Sequence, residues 1–343
     1  MNPTVRQRLI QLGWLLLLGG LLWIALQNAP LADIWASLSQ LTLWQLFVIL
    51  VLDVIAFVLV TMRWWLVVRA KNPHVPLLPL VAYRMAAFAL SYFTPGPQVG
   101  GEALQVLYLQ KNYGLGFARA TSAVIMDKLL EFFTNFLFLA FGLYAIFRVG
   151  IFAQSEVQAA VRGIQPLVSL VPLVVLLLWP PIHLILLSQK RYPLSVLLQW
   201  LSRYFGQRNW MRLLIVSERM AGMFCRQNPS ALFLSLVASL LSWLVMAYEY
   251  SLMAHFLQIP LDFWQVLAAL TALQLTFMLP IPAGVGVMEI GQVLVLQALG
   301  YPAALGISLS LLMRGRDLFN GGVGLVIASG AFSGKAKKQP VLE

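Results

Sequence analysis

The chain has 343 residues, 60% of them hydrophobic and only 10% charged, with 23 Lys and Arg against 12 Asp and Glu and a formal charge of +11. That composition excludes an ordinary soluble domain and describes an integral membrane protein. The longest candidate water-exposed stretch, 190–226, is too short for an independent catalytic domain, and a single cysteine, Cys225, excludes an intrachain disulfide.

Arg6 and Arg8 precede the first apolar run, 9–26. The run is long and no clear small-x-small cleavage site follows, so it reads as a retained span rather than a removed signal. Apolar runs near 20 residues mark spans. They predict an all-α integral membrane protein with about six full spans, at about 9–26, 43–62, 119–147, 164–188, 229–257 and 302–331.

Two further apolar segments, 77–110 and 263–299, are interrupted. The first contains Pro95-Gly96-Pro97-Gln98-Val99-Gly100-Gly101-Glu102, followed by Gln105 and Gln110. The second contains Pro280-Ile281-Pro282-Ala283-Gly284-Val285-Gly286-Val287-Met288-Glu289, followed by Gln292 and Gln297. Backbone freed by Pro and Gly survives in a bilayer only where it is buried in protein or lines a wet cavity. Both segments therefore read as re-entrant helical hairpins with their breakers deep in the protein. Interrupted segments at matching places in two halves of a membrane protein point to a transport site.

Charge sets the expected orientation. Arg6/Arg8, Arg63/Arg69/Lys71, Lys111/Arg119, the seven basic residues of 190–226 and Lys335/Lys337/Lys338 fall on one face. The other face holds Arg148 and Arg162 with Asp33, Glu156 and Asp262. Basic loops mark the cytoplasmic side, so both termini are expected there, with the protein in the inner or plasma membrane. The positive-inside pattern also accounts for the basic excess without a nucleic-acid partner. The order span, span, hairpin, span then occurs twice, about 9–150 and 164–331, with opposite starting sides. The single transmembrane domain is thus expected to consist of two inverted-topology repeats.

Charges inside the spans repeat as well. Lys128 and Glu131 follow Glu102 by 26 and 29 residues, and Arg314 and Asp317 follow Glu289 by 25 and 28. Each basic–acidic pair is spaced i,i+3, on one helix face. At 1.5 Å per residue Lys128 and Arg314 lie roughly 13 and 18 Å into their spans, where a charged side chain must pair or line a hydrated cavity. Two roles stay open. Glu102–Lys128 and Glu289–Arg314 can be structural locks between each hairpin and the next helix. Alternatively, Lys128, Arg314, Arg316 and Arg84, with the half-helix N-termini near Gly100 and Gly286, can form an anion site. The glutamates can also carry protons. Asp317 belongs to the same pattern, and Gln98 supplies an amide at the first tip that the second tip lacks.

The segment 190–226 mixes basic residues with Trp200, Tyr204, Phe205 and Trp210, the pattern of a helix lying on an anionic cytoplasmic leaflet. His74, His183 and His255 have no partners at metal-ligand spacing. Gly284-Val285-Gly286 and Gly321-Gly322-Val323-Gly324 are not nucleotide fingerprints, since no strand precedes them. No cofactor or metal is expected.

The Pro-Gly-Pro-x-x-Gly-Gly-Glu and Pro-Ile-Pro-x-Gly-x-Gly-x-x-Glu motifs, with a membrane basic residue about 25 residues on, resemble the lysylphosphatidylglycerol synthase transmembrane family. That family includes the flippase domain of the bacterial multiple peptide resistance factor and stand-alone relatives. The resemblance covers nearly the whole chain. It implies re-entrant hairpins and lipid translocation, with Glu102, Glu289, Lys128 and Arg314 near the lipid path. The full-length resistance factors append a soluble aminoacyl transferase domain, whereas this chain ends soon after its last span, so it is not expected to be an enzyme that makes lysyl-lipid by itself. The expected function is a flippase moving a polar lipid headgroup, anionic or glycosylated, through a cavity between the hairpins. The alternatives are a membrane-embedded lipid-modifying transferase and a non-catalytic partner subunit of a lipid synthase. Membrane lipids are the expected partners, with a homo-oligomer or a lipid-synthesis partner also open.

Overall fold

The computed structural model describes residues 31–70, 72–93, 101–151, 178–179, 181–206, 208–277 and 285–333. The expected first span, most of the fourth, and the tip residues Pro95, Gly96, Pro97, Gln98, Gly100, Pro280, Pro282 and Gly284 lie outside that set.

The described elements are all helical: α1 Leu31–Ser39, α2 Leu43–Arg69, α3 Leu77–Phe93, α4 Gly101–Tyr113, α5 Phe117–Val149, α6 Pro193–Phe205, α7 Asn209–Gln227, α8 Pro229–Phe256, α9 Phe263–Phe277, α10 Val287–Ala298 and α11 Ala303–Ser333. Residues 181–188 are helical as well. Local chemistry sets several boundaries. Thr42 and Gln45 form a reciprocal capping box at the start of α2, and Asp262 with Gln265 does the same for α9, each pair satisfying two orphan N–H groups. Pro193 and Pro229 open α6 and α8, where a missing N–H costs nothing. Gly150 ends α5 at φ +78, a left-handed position that favours glycine.

α2, α5 and α8 are long and apolar enough to cross a membrane. α11, at 31 residues, has the length but carries Arg314, Arg316 and Asp317 near its middle. The long helices present bare apolar side chains outward: Leu43, Trp44, Phe47 and Val54 on α2, Phe132, Phe141 and Phe147 on α5, Phe233, Leu240 and Leu244 on α8, Phe319 and Val326 on α11. Charged and polar groups such as Arg63, Asp127, Glu249, Glu289 and Gln292 are buried instead. Water would not tolerate that inversion, whereas lipid requires it. The protein is a multi-pass, all-α membrane protein.

Each interrupted segment is a pair of short helices, α3 with α4 and α9 with α10, packed on one another across the break. The longer packing is reciprocal. α2 lies along α8; α3 packs on α11 while α9 packs on α5; α1 rests on α11 while α7 rests on α5. Close approach is bought with glycine. A Cβ on Gly324 of α11 would run into the Met85 carbonyl of α3, and a Cβ on Gly142 of α5 would run into the Thr271 side chain of α9, the small-residue contact that lets membrane helices touch. One apolar core gathers around α8–α11, with Met253, Leu270, Leu296 and Leu309; a second gathers around α2, α4, α5 and α7, with Trp64, Leu109, Met126 and Phe224.

Two expectations change. The second span continues beyond 62 to Arg69, so Arg63, read from the sequence as a cytoplasmic loop charge, is a buried residue 2% exposed. The reason is visible in Trp64-Trp65-Leu66-Val67-Val68, which keeps the helix apolar past the arginine. The basic segment 190–226 is two helices rather than one. α6 and α7 pack together, and α7 is held on α5; Trp200, Tyr204 and Trp210 stay exposed.

α6 has no side-chain cap of its own. Glu218 of α7 supplies one in trans, accepting the N–H groups of Leu194 (2.9 Å) and Ser195 (2.6 Å), with the Ser195 hydroxyl and His183 Nε2 on the same carboxylate. Burial pushes the Glu218 pKa up, but the bonds from His183, Ser195 and Leu194 outweigh it and hold the carboxyl below its ordinary value of 4.5. A depressed carboxyl stabilises the folded state above its unfolded pKa, and the gain is lost as pH falls through the folded value. The α6–α7 pair is thus expected to loosen below the ordinary glutamate range. Glu218→Gln, with one oxygen in place of a carboxylate, should loosen it at neutral pH and remove the pH dependence. Backbone hydrogen exchange over 193–205, followed across pH in both proteins, reads this directly.

Candidate functional site

A cavity of about 380 Å³ opens among α2, α3, α4, α5, α8, α9 and α11. Its wall mixes two chemistries. Phe57, Phe88, Trp243, Met253, Leu273 and Phe277 contribute apolar surface, and nine charged residues line it as well: Asp53, Arg63, Arg84, Glu102, Lys128, Glu131, Glu249, Arg316 and Asp317. Elements far apart in sequence therefore place ionised groups around one space in the apolar interior.

The charges fall into three groups. In the first, Arg63 donates from Nε to Asp127 (2.6 Å) and from Nη2 to Glu131 (2.7 Å), while Arg84 donates from Nη1 to Asp127 (2.7 Å) and from Nη2 to Glu131 (3.2 Å). Lys128 completes the group, 3.0 Å from Glu131 and 3.2 Å from Glu102. Three cations thus meet three carboxylates, and Asp127, fully buried, is the hinge of the two arginines.

The second group is the pair Glu289–Arg314. Arg314 donates from Nε to Glu289 Oε1 and from Nη2 to Oε2 at 2.8 Å. Oε2 also accepts the N–H of Gly286 at 2.8 Å, capping α10. Gly286 sits at φ +81, so the turn before α10 needs a residue without a Cβ. In the third group Arg316 meets Glu249 (2.9 Å), Asp317 (2.7 Å) and Asp53 (3.5 Å), and Asn320 donates to the other Asp53 oxygen at 2.7 Å.

The two expected pairs, Glu102–Lys128 and Glu289–Arg314, both form, but in different settings. Glu102 and Lys128 line the cavity and are about a quarter exposed, 24% and 27%. Glu289 is fully buried, and among the described lining residues neither it nor Arg314 is present. Arg314 and Arg316, pooled by the sequence reading into one cationic site, serve separate groups. Arg84 is in the cavity wall as expected, held by two carboxylates. Of the described breakers, Gly101 lines the cavity, its N–H bound to Ser91 Oγ at 2.9 Å and its Cα against Ala87, while Gly286 caps α10 away from it. Asp53, Arg63, Asp127 and Glu249 were not named as site residues from sequence. Arg63 and Glu249 stand 186 residues apart at matching places in α2 and α8, with opposite charge.

Residues 10–324 match the family described as the lysylphosphatidylglycerol synthase TM region. A membrane protein of the UPF0104 group from Pyrococcus horikoshii is 25% identical over 269 residues, covering 74% of this chain and 76% of that protein. No solved structure matches.

Proposed function

Because the chain belongs to the lysylphosphatidylglycerol synthase transmembrane family, we propose that it is a flippase, carrying a polar lipid headgroup through the cavity while the acyl chains stay in lipid. The observation that carries this reading is the mixed lining of the cavity. Its ionised groups would replace water around a headgroup, and its aromatic and aliphatic residues would accept the glycerol and first chain carbons. The substrate class is an anionic or glycosylated lipid. A headgroup phosphate would enter by displacing Glu102 from Lys128, the most exposed ion pair of the network, since exchanging one charge-assisted bond for another costs little.

The two interrupted helix pairs are read as re-entrant hairpins, and the reciprocal packing of α3 on α11 and α9 on α5 supports two related halves of inverted topology. The basic residues of the segment 190–226 and of loops elsewhere support cytoplasmic termini in a bacterial inner membrane, with the exposed aromatics of α6 and α7 resting on an anionic leaflet. The protein carries no aminoacyl transfer of its own in this reading.

The test is headgroup transfer in proteoliposomes with labelled anionic, zwitterionic and glycosylated lipids. Lys128→Met should slow transfer about 10- to 100-fold, the loss of one charge-assisted contact, with folding unchanged. A folded Lys128→Met protein that transfers at the wild-type rate removes the cavity as the path. Wild-type protein that moves none of the lipids points to a partner subunit of a lipid synthase.

A further inference from the structure

The three charged groups differ in their balance. The Arg63–Arg84–Lys128 group holds three cations and three carboxylates, and Glu289–Arg314 one of each. The Arg316 group holds one cation and three carboxylates. All three acids are buried: Asp53 is 6% exposed, Glu249 1% and Asp317 7%. Two of them have more than one partner: Asp53 accepts from Asn320 and pairs with Arg316 at 3.5 Å, and Asp317 Oδ1 accepts from two guanidinium nitrogens. Glu249 has one bond, from Arg316 to Oε1. Its Oε2 is buried without a hydrogen-bond partner among the described residues. A buried carboxylate left that way is among the most costly groups a protein can hold, and it neutralises by taking a proton.

We propose that Glu249, within the Asp53–Asp317–Arg316 cluster, is a proton-binding site that exchanges with the cavity and couples proton movement to translocation. The site stands on geometry alone; its coupling role rests on the flippase reading. A proton on Glu249 leaves Arg316 facing the two carboxylates that have donors. Release of that proton would let Glu249 compete for the guanidinium and pull on α11, which also carries Arg314. The groups facing Glu249 from the packed helices are Asp53 of α2 and Arg316 and Asp317 of α11, with Lys128 and Glu131 of α5 on the same cavity. α9 contributes no ionisable residue, and α7 contributes none to the cavity wall. A sodium ion is the competing occupant. It needs several convergent oxygens, and here Asp53 Oδ2 is engaged by Asn320 and Asp317 Oδ1 by Arg316.

Infrared spectroscopy of the membrane-reconstituted protein, titrated from acid to alkali, tests the site. A protonated-carboxyl band that persists above the ordinary carboxylate range should vanish as pH rises further and be missing in Glu249→Gln. Should that variant fail to fold, Glu249→Asp, which retains a carboxyl, should keep a band; a wild-type protein without any such band overturns the proposal whatever the variants do. In proteoliposomes, a one-unit pH gradient coupled to one proton should hold the labelled lipid at up to about tenfold asymmetry. Glu249→Gln should lose that response. Transfer that responds to a sodium gradient and not to pH overturns the proton site. A Glu249-dependent band without any lipid transfer leaves the proton site standing and removes the flippase reading. Transfer without the band does the reverse.

Discussion

Replacing Arg63 by methionine is expected to destabilise the protein by about 3–5 kcal/mol, the cost of removing one partner from a buried ion network. Arg63 is the residue on which α2, α5 and α8 converge. Its guanidinium serves Asp127 and Glu131 on α5 and lies 3.4 Å from Ser239 Oγ on α8, while its carbonyl accepts the Ser235 hydroxyl at 3.3 Å. Methionine fills much of the volume but leaves Asp127, fully buried, with Arg84 as its remaining cation. The damage comes from the stranded carboxylate rather than from lost packing. Adding Asp127→Asn to Arg63→Met should therefore recover a large part of the loss, a non-additivity expected of residues in one network. Thermal unfolding of the three proteins in mild detergent checks this. An Arg63→Met protein as stable as wild type would mean that the network is not what ties these helices together.

The two hairpin glutamates should respond very differently to the same change. Glu289→Ala is expected to cost about 3–5 kcal/mol, because it removes the carboxylate partner of Arg314 in a nearly dry site and also removes the cap on Gly286, itself about 1 kcal/mol. Glu102→Ala is expected to cost at most about 1 kcal/mol, the range of a solvated pair, because Lys128 keeps Glu131 at 3.0 Å and both lie at the cavity edge. Its effect should fall on transfer instead. Parallel unfolding and transfer measurements separate the two. Equal losses of stability would mean that the two pairs act alike as locks, and the difference in burial would carry no function.

The interrupted helices, the three long apolar helices α2, α5 and α8 and the two Glu–basic pairs were legible in the sequence because their signals are local. Proline and glycine punctuate an apolar run, and a charge 25 or 26 residues after each glutamate is countable. The rest of the network depends on direction. Arg314 and Arg316 are two residues apart, which on a helix is about 200° of rotation, so one meets α10 and the other meets α2 and α8. Arg63 stands where a positive-inside residue would stand, and composition does not separate a buried arginine from a loop arginine. Its counterpart Glu249 has the opposite sign, so a search for repeated charges passes over both. Asp127 is adjacent to Lys128 in sequence but turns to the two arginines, a choice set by which helices pack on α5.

Gly324 against the Met85 backbone and Gly142 against the Thr271 side chain are contacts at which the glycine has no side chain to hold the helices apart, and they occur once in each of the two reciprocal pairs, α3 on α11 and α9 on α5. Such contacts behave as bearings. Helices held that close can roll about the point of touch, but they cannot part without opening a void that nothing nearby would fill. Each interrupted pair is also packed, through α3 or α9, on a long helix from the other half of the chain, which would link the tilt of one to the other. For the flippase proposed above, such a linkage would make access at one face and closure at the other a single rocking movement.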